Sequence, residues 1–499
     1  MKQDSSMEVQ ILSTKIIKPS AATPNDNRNY KVTFFEQLAP KMHIPLLYFY
    51  SFDGQDMVDD ASKHQLLQKS LAQTLSLYYP LAGRFTKDGL SVNCEDQGAV
   101  YMEAQVNTQL AEFLPKANKD LELFNDFFPK VLGEYTSVTT PLVAIQATTF
   151  QCGGLGLAVS ISHALADGFT MCTFTQDWAN MSRLGIREPS CYFDQSAVTT
   201  FAAKDIYGIK PPPGMKTGDK YVTKKFLFDG TAISSLREKV LAGGSSIKHQ
   251  PSRVELATAC IWRALILGSS KKHRHLRPSV MSLTMNIRGK TAVAIPKSSF
   301  GNRYVEFAIK YMGEEDKLEL HDLVVLIRET IQNILAACAE ASNGDELFSL
   351  NFNNLKEVRE IMHDDTMDFY WLSSLCRFPQ YEVDFGWGKP YLATGDHVPA
   401  ELVALRDTKS GVGIEAKVSV TERDMLAVES DPDVKEFTYT FKLNRIPGFK
   451  PHHSSPAQDV TPLYSPSPAL SSGLHHQSVQ SMHFVAKSNE KHQKYQLTL

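Results

Sequence analysis

No two of the seven cysteines in this chain fall at Cys-x-x-Cys spacing. Cys94, Cys152, Cys172, Cys191, Cys260, Cys338 and Cys376 are scattered and odd in number. Neither a zinc site nor a disulfide framework is indicated, and reduced intracellular thiols are the natural reading. The amino terminus, Met1–Lys2–Gln3–Asp4–Ser5–Ser6, has no apolar core, so no secretory leader is visible. The longest apolar run, Ile44–Tyr50, is far too short to span a bilayer. Charge is almost balanced, with 52 basic against 55 acidic residues. That excludes an electrostatic footprint for nucleic acid or an anionic membrane. A soluble, cytoplasmic protein with no metal site is expected.

The 499 residues are 42% apolar and 21% charged, which excludes wholesale disorder and leaves room for two or three domains. Residues 8–17 and 30–35 alternate as strands, and 60–77 carry Leu67, Leu71 and Leu75 at helical spacing. Leu142–Thr149 and Gly156–Ser162 are apolar and β-branched, as neighbouring strands buried on both faces would be. Gly168 to Met181 reads as a helix whose Met and aromatic stripe faces a core.

From 189 to 220 the chain is irregular around Pro211–Pro212–Pro213–Gly214, which places a linker there between segments 1–188 and 221–443. Downstream, Lys224–Phe228 and Ser279–Arg288 read as strands. Thr231 is placed to cap a helix over 232–241, and Val254–Leu267 and Leu318–Ala341 read as further helices. Strands follow at about 391–395, 401–406 and 412–419, the last two as a hairpin, and Thr421 opens a final helix. Residues 444–499 are rich in Pro, Ser, His and Gln, as a disordered tail would be, and their six histidines lack metal-ligand spacing.

One segment stands apart: Leu157–Ala158–Val159–Ser160–Ile161–Ser162–His163–Ala164–Leu165–Ala166–Asp167–Gly168. A buried strand delivers a histidine, and an aspartate and a glycine follow. A histidine so placed can project a near-neutral base into a cleft, as deprotonating an alcohol requires. Spacing alone leaves a satisfied core histidine equally open. Asp167 need not face the same reacting atom and suits a structural role. Cys152 and Cys172 lie near His163 in sequence and invite a Cys–His nucleophile. Nothing in the sequence lowers either thiol's pKa, and both read as core cysteines.

Far downstream stands Asp384–Phe385–Gly386–Trp387–Gly388–Lys389–Pro390. The two segments in this order resemble the plant BAHD acyltransferases, which move an acyl group from coenzyme A to an alcohol or amine. Tyr79–Pro80–Leu81–Ala82–Gly83–Arg84, Met285–Asn286–Ile287–Arg288 and Phe300–Gly301–Asn302 extend the resemblance, which runs from about Met7 to about Leu443. Ile17–Lys18–Pro19–Ser20, Thr23–Pro24 and His43–Ile44–Pro45 look most like the alkaloid- and terpenoid-acetylating branch.

The resemblance implies an α/β fold of two domains like chloramphenicol acetyltransferase, each with a mixed sheet, and a channel between them. It implies a monomer that acylates a small-molecule alcohol. Acyl-CoA, above all acetyl-CoA, is the co-substrate, and no cofactor is bound permanently. His163 is then the general base. Asp167 points away from the reacting centre and pairs with Arg288, beside Asn286, and Gly168 permits close packing or a special backbone angle. Asp384, Gly386, Trp387 and Gly388 are architectural. Asn302 and Tyr304 suit either the acceptor channel or a turn.

One departure matters: many relatives carry a tryptophan where Ser373–Ser374–Leu375–Cys376–Arg377 has Leu375, and its indole has been suggested as an oxyanion donor. Leucine cannot donate, so Ser373, a backbone N–H or water must serve. N-acylation and a longer or aromatic acyl-CoA are the nearest alternatives. A non-catalytic acyl-CoA-binding or regulatory homologue is the rival from another class.

Overall fold

Two six-stranded mixed sheets carry the molecule. The computed structural model describes residues 7–439, apart from 52–58, 131–136, 187, 194–196, 214–219, 245–248, 314–317 and 396–399. The tail expected over 444–499 lies outside the described residues.

The first sheet runs in the order Val9–Ile17, Ala99–Val106, Val143–Phe150, Leu155–Ser162, His43–Tyr50 and Leu392–Thr394. All eight residues of Leu155–Ser162 are buried, because both faces of the sheet are covered. On one face the helices Asp60–Leu77 and Gly168–Leu184 pack through Leu67, Leu71, Phe174 and Trp178. The Trp178 indole donates to the Leu67 carbonyl at 3.2 Å, which satisfies its one polar atom. On the other face Phe49, Phe113, Phe124, Phe127 and Phe150 interlock at ring separations of 4.8–6.1 Å.

The second sheet runs Tyr304–Tyr311, Ser279–Asn286, Asp368–Ser374, Leu402–Asp407, Ile414–Thr421 and Tyr221–Phe228. Its two faces differ. Met281, Leu283 and Met285 are buried on one, where Trp262 of the helix Arg253–His273 reaches the Ser279 hydroxyl at 2.9 Å. The alternate residues, among them Ser282, Thr284, Glu306, Ser373 and Lys225, form a polar face turned toward the first sheet. Lys225 on that face stands 5.5 Å above the Phe124 ring, and Tyr304 stands 5.8 Å from the His163 ring. Thr284 lies in an interior strand and is nonetheless exposed. Open space therefore reaches the middle of this sheet.

The strand Leu392–Thr394 joins the first sheet beside His43–Tyr50, although the strands expected at 401–406 and 412–419 pair in the second. The Pro-rich stretch is pinned at several points. Tyr192 N–H donates to the Ser298 carbonyl at 2.7 Å, and Lys204 N–H donates to Gln37 Oε1 at 2.7 Å.

Three local readings are corrected. The strand expected over 30–35 stops at Lys31, and Phe34–Leu38 is helical, because Thr33 and Glu36 close a capping box. The helix expected to start after Thr231 starts at Gly230, with the Asp229 carboxylate accepting the Ala232 N–H at 2.8 Å. The helix expected from Val254 to Leu267 runs from Arg253 to His273 under a Ser252–Glu255 capping box.

Candidate active site

Local pairing sets the position of His163. Its N–H donates to the Met42 carbonyl at 2.7 Å, continuing the ladder between Leu155–Ser162 and His43–Tyr50 by one residue. The chain then turns tightly, with the Leu165 and Ala166 N–H groups both on the Ser162 carbonyl at 3.1 Å. Asp167 caps the next helix by accepting the Thr170 N–H at 2.9 Å. The strand thus hands off a half-buried imidazole, and four residues later Asp167 caps a helix that begins at Gly168.

Asp167 faces away from the imidazole's open side and into a buried network. Arg288 grips its carboxylate with both terminal nitrogens, at 2.7 and 3.1 Å, and the Arg303 N–H adds a third bond at 3.0 Å. Asn286 Oδ1 accepts the Arg288 N–H at 3.1 Å and Nη1 at 3.2 Å, so it orients the guanidinium. Arg288 also donates to the Ser299 and Gly301 carbonyls and lies 4.4 Å over the Phe169 ring. Burial on its own would raise the Asp167 pKa, but Arg288 and the two N–H donors outweigh it and hold the carboxyl below its ordinary range.

Sequence reasoning missed the second half of this network. Glu36 pairs with Arg303 at 2.8 Å and also accepts the Asn302 N–H at 2.9 Å, with both ionic side chains buried. The Thr33-x-x-Glu36 capping-box spacing was the available signal. Gly301 bends the loop at φ +97°, and a Cβ there would come within 2.6 Å of Glu36 Oε1. Asn302 is wholly buried and gives its Nδ2 to the His163 carbonyl at 2.8 Å. It therefore sits behind the histidine rather than against an incoming molecule.

Burial lowers the His163 pKa below its ordinary value. Its own carbonyl, Asp167, Asn302 and Glu306 offset part of that effect. The ring is therefore neutral at pH 7. Burial pushes the Cys172 thiol up to about 12, and Cys152 sits in the turn at the opposite end of the Leu155–Ser162 strand. Neither is an activated nucleophile.

Gly168 is close-packed: a Cβ there would meet Leu375 Cδ2 at 2.9 Å. Leu375 thus fills the space over the helix start. Ser373, two residues earlier, is half-buried on the polar face of the second sheet, opposite Ala404.

Asp384, Gly386, Trp387 and Gly388 lie elsewhere. Asp384 Oδ1 accepts the N–H groups of Gly386 and Gly388, both at 2.9 Å, and both glycines have positive φ, +116° and +98°. Phe385 packs on Trp178 at 4.8 Å and Trp387 on Tyr50 at 6.2 Å. The motif thus clamps the carboxyl end of the helix that Asp167 caps at its start.

A cavity of about 1090 Å³ has Met42, whose carbonyl accepts the His163 N–H, among its lining residues, and His163 itself is not one of them. Glu306, Tyr370, Trp371, Tyr221 and Arg359 line it too. Among the described residues no group of three His, Cys, Asp or Glu side chains could hold a metal ion, and no helix is long and apolar enough to cross a membrane.

Comparisons with known proteins bear on the family and the fold. The family model described as "Transferase family" matches residues 7–435. Epi-neemfruitin B synthase from Melia azedarach is 33% identical over 439 residues, covering 86% of this chain and 98% of the relative. Acetyl-CoA-benzylalcohol acetyltransferase from Clarkia breweri is 32% identical over 435 residues, covering 84% and 97%. The crystal structure of vinorine synthase superposes with a TM-score of 0.73 at 28% identity, covering 87% of this chain and 99% of that one. The chain belongs to the Transferase family, the BAHD acyl-CoA-dependent acyltransferases.

Proposed function

We propose that this protein transfers an acetyl group from acetyl-CoA to a hydroxyl of a plant specialised metabolite, with His163 as general base. The observation that carries the reading is a half-buried imidazole at a strand end, its pKa lowered by burial, on a residue whose backbone N–H bonds Met42 on the wall of a cavity of about 1090 Å³. Relatives whose names describe acetyl transfer to benzyl alcohol and to limonoids support the acetyl donor and the alcohol acceptor. The cavity, at about 1090 Å³, is slightly larger than the roughly 300–1,000 Å³ usual for small-molecule sites, which favours a polycyclic acceptor. The scattered free thiols suit the cytoplasm.

His163 Nε2 takes the proton of the acceptor hydroxyl as its oxygen attacks the thioester carbonyl. The tetrahedral adduct collapses, the carbon–sulfur bond breaks, and the imidazolium returns the proton to the departing thiolate. The products are an ester and free coenzyme A, with no acyl-enzyme. Leu375 leaves the oxyanion to another donor, and the Ser373 hydroxyl on the polar sheet face is the candidate.

The test combines a panel of alcohols and amines with acetyl-CoA and longer acyl-CoAs, read by thiol release and product mass. An acetyl ester of a bulky alcohol is expected. An amide, or preferred transfer of a longer acyl group, would overturn the finer reading. Absence of thiol release across the panel would favour a non-catalytic homologue.

A further inference from the structure

We propose that Glu306, with Arg359, selects the acceptor by binding a second, uncharged hydroxyl on it, apart from the one that is acylated. The inference rests on the acyl-transfer reading above and narrows its acceptor to a neutral alcohol with more than one hydroxyl.

Two buried acid–arginine pairs near His163 are closed: Asp167 with Arg288 at 2.7 Å and Glu36 with Arg303 at 2.8 Å. Glu306 and Arg359 line the cavity, and their pair stands open, with 3.9 Å between Oε2 and Nη2. That is about 1 Å too long for a charge-assisted hydrogen bond. Their side chains are nonetheless only 10% and 9% exposed. Each is anchored through its other terminal atom. The Ser282 hydroxyl donates to Glu306 Oε1 at 2.8 Å, and Arg359 Nη1 lies 3.2 Å from Met362 Sδ. An acceptor oxygen and a donor nitrogen are left on either side of a gap.

A hydroxyl suits that gap. An oxygen about 2.8 Å from both atoms spans the 3.9 Å between them at an angle of roughly 90°. It donates to the carboxylate and accepts from the guanidinium, which neither a carbonyl nor an ether can do. The pair also rejects charge of either sign, since an ammonium meets Arg359 and a carboxylate meets Glu306. There is room for a ligand here, because Thr284, directly opposite Glu306 in the sheet, is exposed. Glu306 follows Tyr304 by two residues on the same face, roughly 7 Å along the strand. The Tyr304 ring lies 5.8 Å from the His163 ring. The second hydroxyl is thus bound a neighbouring ring away from the acylated one in a fused skeleton.

The test is calorimetric binding of rigid steroid probes to the full-length protein without acyl-CoA. The probes are diols that vary in the position of the second hydroxyl, the matching mono-ols, and analogues with an amine or a carboxylate in its place. At least one diol is expected to bind about 10- to 100-fold more tightly than its mono-ol, with its amine and acid analogues both weaker. Glu306→Gln should remove most of that preference and raise the acid relative to the diol, because Arg359 then stands unopposed. Arg359→Gln should instead raise the amine. A pair with only a structural role would move neither ranking. The proposal is overturned if no diol outbinds its mono-ol tenfold, if wild type prefers the amine or the acid, or if folded variants keep the wild-type ranking. Should both variants fail to fold, the wild-type series decides. Failure of the acyl-transfer reading would appear separately, as selective diol binding with no thiol release on adding acetyl-CoA.

Discussion

At the scale of single residues, the Asp167–Arg288 pair sets the stakes. Arg288 holds the carboxylate at 2.7 and 3.1 Å, with both side chains almost fully buried. Asp167→Asn leaves the guanidinium without its counter-charge, so a loss of about 3–5 kcal/mol is expected. Thermal melting and turnover should fall together. Arg288→Ala should do the same, and the double variant should cost less than the sum of the two. Because the folded carboxyl has a depressed pKa, its stabilisation is present above the unfolded value near 3.8 and is lost as pH falls through the lower folded value. His163 carries a separate pH signature. Burial lowers its pKa beneath 6.5, so kcat/KM should rise along an acid limb whose midpoint lies below 6.5 and be flat at pH 7. A rate still climbing between pH 7 and 8 would contradict a base with a lowered pKa.

At the scale of elements, the helix Gly168–Leu184 is the beam on which the site rests. Asp167 caps one end. The Asp384–Gly388 turn holds the other through Ser182 Oγ on the Phe385 carbonyl at 3.0 Å and Arg183 on Asp384 at 3.4 Å. At 1.5 Å per residue the two ends lie about 25 Å apart. Trp387→Ala should therefore lower the melting temperature while kcat per folded molecule stays within about threefold, because the indole packs far from the imidazole.

Much of this scaffold was legible. The 60–77 helix, the paired strands 143–150 and 155–162, and the 402–421 hairpin follow from periodicity and β-branching. The helix Gly344–Ile361 did not announce itself, since Asn351, Asn353 and Asn354 are poor helix formers. Burial of Leu347, Leu355 and Val358 overrides that preference. The pairing of Asp167 with Arg288, 121 residues away, came from resemblance alone, because no local pattern encodes a contact made by folding two sheets together. The Glu36–Arg303 pair escaped for the same reason.

At the scale of the whole molecule, the site is a seam. His163 and Asp167 belong to the first sheet and its helix. Arg288, Asn302 and Tyr304 belong to the strand ends of the second, and Leu392–Thr394 returns from the downstream half to close the first sheet. Leu375 reaches across this seam onto Gly168, with 2.9 Å between Cδ2 and the position of a Cβ there. Leu375→Trp tests which demand governs the position. The tight fit predicts overfilling that costs about 1–3 kcal/mol, read as a lower melting temperature, with no gain in turnover. A turnover rate raised by about 10²-fold at unchanged acceptor KM would mean instead that an oxyanion donor was missing.

The account stands or falls on His163. The most direct measurement is kcat for His163→Ala with acetyl-CoA and the best acceptor, alongside its thermal melt. A loss of about 10²- to 10⁴-fold at an unchanged melting temperature is predicted. Turnover within tenfold of wild type, in a variant that melts normally, would contradict it.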